Sequence, residues 1–155
     1  MELNELKKEY AKLAKTYGLP SFNETDKCFE ISKIDKESDT LLRAIRKVMM
    51  EKIVNSLGFV EMLLNPMNAP RMYLAYIKSI GFEDKKAIEK IYGTFADLSV
   101  VSLEREVDYG EKEEAELIKK IIKTWNELKP EFRKILKNMK KPNNDLKKRE
   151  RSYFG

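Results

Sequence analysis

Apolar residues recur at steps of three and four along most of this chain, and that spacing restricts the fold more than any other feature. Leu3, Leu6, Tyr10, Leu13 and Tyr17 form one stripe on a helix of 3.6 residues per turn. Gly18 offers a left-handed stop, and Pro20 blocks continuation. Ser21 and Glu24 have the spacing of a capping box, so a short second helix is expected through Phe22, Cys28, Phe29 and Ile31. A third is expected from about Asp39, capped by Ser38, towards Leu57. Leu41, Leu42, Ile45, Val48, Met49 and Ile53 make its wide apolar face. Gly58 either ends this helix or lies inside a longer one reaching Leu64, since an internal glycine costs only about 1 kcal/mol.

Two prolines mark residues 65–70 as a connection, because each biases the residue before it away from helix. With Pro70 in its first turn, a further helix is expected to Ile80, with Gly81 as its stop. Ile88, Ile91, Phe95 and Leu98 define the next, from near Asp84 to near Val107. Gly93 inside it predicts close packing or a bend. The β-branched pair Val100-Val101 leaves a short strand open as an alternative. Glu111, Glu113, Glu114 and Glu116 suit the exposed first turns of a helix, where they meet the positive end of its dipole. Ile118, Ile121, Ile122, Trp125 and Leu128 continue it. Pro130 is expected to break the run or begin a new helix carrying Phe132, Ile135, Leu136 and Met139. After Pro142 the apolar period disappears.

These readings combine into an all-α protein. A single irregular bundle of about five to seven helices occupies residues 1–141, and a basic C-terminal tail occupies 142–155. A chain of 155 residues buries enough surface to need no disulfide or metal staple. The one cysteine, Cys28, cannot form an intrachain disulfide, so a cytoplasmic setting is the simplest expectation. No stretch approaches 18 continuous apolar residues, so no integral membrane association is expected. Residues 1–8 lack the positive-then-apolar order of a signal peptide.

Histidine is absent, which removes the commonest acid/base at neutral pH and the nitrogen ligand of most catalytic zinc sites. No glycine-rich phosphate loop or nucleophile-elbow serine occurs, and Cys28 has no histidine partner or second cysteine. Accordingly no catalytic residue, metal ligand or cofactor is assigned. One enzyme reading stays open as the third choice. Glu104, Glu106, Asp108, Glu111 and Glu114 could converge as a small carboxylate-dependent metal site.

Charge favours binding. Residues 129–155 hold ten Lys/Arg against three Asp/Glu, a net +7, whereas residues 1–128 hold 21 against 23, a net −2. Lys140, Lys141, Lys147, Lys148, Arg149 and Arg151 could neutralise phosphates, and Tyr153 and Phe154 could stack on unpaired bases. RNA fits better than duplex DNA because no recognition-helix or zinc-finger spacing is present. The leading expectation is therefore a non-catalytic binding or adaptor protein contacting RNA or a ribonucleoprotein through its basic C-terminal region. The main alternative is a homo-oligomeric protein–protein interaction module, using the Leu/Tyr stripe or a methionine-rich surface. Met49, Met50, Phe59, Met62, Met67 and Met72 are the residues expected to form that surface, against the simpler reading that they fill the core.

Overall fold

The computed structural model describes residues 2–35 and 40–140. Ser38, Asp39 and the tail residues from Lys141 onward lie outside the described residues. Among the described residues the chain is all-α, with six α-helices, three short 3-10 turns and no strand. Helix α1 spans Leu3–Tyr17, α2 Phe22–Phe29 and α3 Leu41–Leu64. Helix α4 is the short Leu74–Lys78, α5 spans Phe82–Val107 and α6 Glu111–Met139.

The early punctuation acts as its residue types dictate. Gly18 ends α1 in the left-handed conformation at φ 70°, and its N–H donates to the Ala14 carbonyl. Ser21 and Glu24 form a reciprocal capping box at the start of α2. The Tyr10 hydroxyl, carried on the inner face of α1, donates to the Pro20 carbonyl and lies 2.8 Å from the Thr25 hydroxyl. That bond ties α1 to α2 and satisfies two groups that burial would otherwise leave unpaired.

Helices α3, α5 and α6 form the heart of the molecule, each packed against the other two. The N-terminal half of α3 meets the C-terminal half of α5 and the first turn of α6 through Arg46. Phe59, late in α3, meets Phe132, late in α6, edge to face. Thus α3 and α6 run parallel, and α5 runs antiparallel to both. Ile45, Met49, Ile53, Ile91, Phe95, Leu98, Ile118 and Ile121 fill the space between them. Phe95 stacks on Trp125 with ring centroids 6.1 Å apart.

The longer helices differ from simple local rules at several places. Helix α3 continues through Gly58 to Leu64 because Val60 and Leu63 extend the buried face beyond it. Helix α6 continues through Pro130, correcting the expected break. Proline there removes the N–H that would reach back to residue 126, yet Trp125 and Leu128 before it and Ile135 and Met139 after it are all buried on one face. Gly81 does not simply stop the preceding helix: α4 ends at Lys78, and Gly81 is the N-cap of α5. The Val100-Val101 pair is helical. A Cβ added at Gly93 would meet no atom within 4 Å, so this glycine does not mediate a close helix approach within the chain.

Candidate functional site

One strongly polar cluster lies inside the bundle. Arg46 sits in the sequence Leu42, Arg46, Met49, Ile53, at the steps that place side chains on the inner face of α3. It is 1% exposed. Its Nε donates to Glu114 Oε2 at 2.6 Å, one terminal nitrogen donates to the Ser102 hydroxyl at 2.8 Å, and the other to Glu106 Oε1 at 2.7 Å. Arg43, one turn earlier, donates to the second oxygen of Glu106 at 2.7 Å. Three helices therefore meet on one guanidinium.

The charges are mutually adjusted. Hydrogen bonds from Arg46 and then Arg43 hold the Glu106 carboxyl down at about 2, from an ordinary 4.5. Burial alone would lower the Arg46 proton affinity; its bonds to Glu114 and Glu106 outweigh that and raise it. Glu114 is fully buried in the first turn of α6, where the helix dipole also favours an anion. At Glu114 this corrects the expectation of an exposed acidic helix start, while Glu111, Glu113 and Glu116 are exposed as expected. Glu106 and Glu114 do converge, but on guanidinium groups. Among the described residues no group of three Cys, Asp or Glu side chains is arranged to hold a metal ion.

Sequence reasoning missed this cluster, although a signal was present. Arg46 and Glu114 each occupy an inward position of an apolar stripe, Glu114 preceding Ile118, Ile121 and Trp125 at helical steps. A charge at such a position implies an opposite charge facing it.

A second feature is the groove between α2, α3 and α6, about 720 Å³ in volume. Phe29, Val48, Phe59, Phe132 and Leu136 supply its apolar lining, and Glu30, Lys33, Glu51 and Lys52 its charges. The Lys52 ammonium lies 4.8 Å from the Trp125 ring centre and donates to the Cys28 carbonyl. Phe59 lines this groove, while Met62 lines a separate depression with Gly58, Glu61 and Asn65. Met49 and Met50 are core residues, and Met67 and Met72 are 90% and 71% exposed. The six residues expected to make one methionine-rich surface are thus divided between interior and exterior.

The third feature is the outer side of α6. Its first turns are acidic, but residues 117–140 hold eight Lys/Arg against two Asp/Glu, a net +6. Arg133, Lys134, Lys137 and Lys140 are all exposed, and none of them forms an ion pair among the described residues. The inward residues Ile135 and Met139 hold this stretch against the body, so the bases project from a fixed helical surface. Lys140 is the C-cap of α6. Lys141, Lys147, Lys148, Arg149, Arg151, Tyr153 and Phe154 lie outside the described residues.

No protein-family model, curated protein or solved structure matches this chain. The surfaces themselves are therefore the basis for a functional reading. No helix among the described residues is long and apolar enough to cross a membrane.

Proposed function

We propose that this protein is a non-catalytic binding module that engages RNA, alone or within a ribonucleoprotein, through the C-terminal half of α6 and the basic residues that follow it, in a cytoplasmic setting. The observation that carries the reading is the exposed row Arg133, Lys134, Lys137 and Lys140 on a helix whose other face is buried. Four unneutralised cations on about two helical turns attract a polyanion, and phosphates require little geometric fit beyond that charge. Residues 141–155 add five Lys/Arg against two Asp/Glu, together with Tyr153 and Phe154 as base-stacking candidates. The remaining residues, 1–116, hold 18 Lys/Arg against 22 Asp/Glu, so the excess positive charge is confined to one region of the sequence.

The reading is tested by binding single-stranded and structured RNA across a salt series. Three proteins are compared: the full chain, a chain lacking residues 142–155, and the full chain with Arg133, Lys134, Lys137 and Lys140 changed to alanine. Each lost phosphate contact on single-stranded RNA should reduce the slope of log affinity against log salt by about 0.7. The alanine variant is expected to lose about two to three units of slope, and the truncated chain a further share. Unchanged affinity and slope in both altered proteins would exclude this surface as the phosphate contact.

A further inference from the structure

Helix α5 presents a second apolar stripe on the side opposite its core face. Gly93, Ala96, Val100, Leu103 and Val107 follow one another at steps of three and four, the spacing of a two-helix seam. Val100, Leu103 and Val107 are 57%, 65% and 83% exposed, and beyond Gly93 there is open space. The buried face of the same helix, with Ile88, Ile91, Phe95, Leu98 and Ser102, does not include them. From the structure we infer that this outer face pairs with the same face of a second copy of the chain, the two α5 helices running antiparallel.

Size and charge both select that partner and that orientation. In the antiparallel register that sets Ala96 opposite Val100 of the second copy, Gly93 falls opposite Leu103. Small residues at one end of the stripe thus receive large ones from the other end, in the self-complementary manner that a twofold interface demands. Val107 lies against the aliphatic part of Glu89. From the second turn of α5 onward the charges along one flank run Lys86, Lys90, Asp97, Glu104, Asp108, while Glu83, earlier on that flank, falls beyond the end of the facing α5. Antiparallel pairing brings this flank against itself in reverse. Lys86 then faces Asp108 and Lys90 faces Glu104, each twice by symmetry, while Asp97 meets its own copy near the twofold axis. Four attractive pairs oppose one repulsive pair. A parallel arrangement would instead bring like residues to the same level.

The cations are available. Lys90 is 67% exposed, with its nearest acid, Glu131, 4.0 Å away, and Lys86 rests over the exposed Phe82 ring. From Lys86 to Asp108 the contact extends about 33 Å along the helix. One helix pair of that length buries less than the roughly 800 Å² per partner of a standard interface, so a reversible dimer in the micromolar range is expected.

Sedimentation velocity of the full chain across a concentration series tests the inference. Wild-type protein is expected to pass from 18.2 kDa towards twice that mass. Leu103→Glu should weaken association at least tenfold with an unchanged helical spectrum. Asp97→Asn should strengthen it, an effect that loss of folding cannot imitate. Lys90→Glu and Glu104→Lys should each weaken self-association, and an equimolar mixture of the two should restore it, because each supplies the charges the other lacks. A chain that stays monomeric to about 0.5 mM, or a dimer indifferent to Leu103→Glu and to the charge exchange, would overturn the assignment.

Discussion

A single guanidinium carries an unusual share of the tertiary organisation. Arg46 and Glu114 are both removed from solvent, so neither can lose its partner without leaving a charge in a poorly solvating interior. Glu114→Ala should therefore cost about 3–5 kcal/mol in urea-induced unfolding. The double replacement of Arg46 by Met and Glu114 by Leu should cost clearly less than the single change. Glu106 gives the network a pH signature. Its carboxyl is held at about 2 in the folded protein against an ordinary 4.5, so the folded state favours its ionised form. Stability from this group is present above about pH 4.5 and is lost as the pH falls towards 2. A thermal-unfolding series over that range should show the acid-limb decline, and Glu106→Gln should make the limb shallower. The Glu106 side chain is 37% exposed, so solvent screening keeps its contribution modest.

At the scale of elements, burial outvotes local propensity. Gly58 and Pro130 both interrupt helix-forming sequence, yet α3 and α6 run through them because apolar residues on either side face one core. The glycine is tolerated rather than used: a Cβ there would meet nothing within 4 Å. Gly58→Ala should accordingly stabilise the protein by about 0.5–1 kcal/mol in denaturant unfolding, by reducing the freedom of the unfolded chain. Gly18 contrasts with it. Its φ of 70° is the left-handed geometry that a side chain disfavours, and there the glycine terminates α1. The short α4 lies in a Pro-rich passage between two long helices and contributes no buried residue of its own.

Taken as a whole, the molecule separates its tasks by face. The inner faces of α3, α5 and α6 close on one core. The outer face of α6 is cationic towards its end, and the outer face of α5 is apolar with charges arranged along its edge. Two copies joined through α5 would carry two cationic α6 surfaces, and simultaneous engagement of one RNA would raise its avidity without any new contact. The acid-to-base order along α6 also matches its own dipole, with Glu111, Glu113 and Glu114 in the first turn and Lys137 in the last. The same ordering thus serves helix stability and charge separation.

The periodic placement of leucine, isoleucine and aromatic residues was enough to specify an all-helical chain, the capping box at Ser21 and the left-handed end at Gly18, because each depends on neighbours within a turn or two. The concentration of bases near the end was equally legible, since charge is counted without knowing shape. Three-dimensional packing alone decided that Pro130 lies within α6, that Glu114 is buried rather than solvated, and that Arg46 joins three helices. It also decided that Val100, Leu103 and Val107 face outward. Those outcomes depend on which stripe meets which across 50 or more residues of sequence, and the free energy of that meeting is a property of the assembled faces.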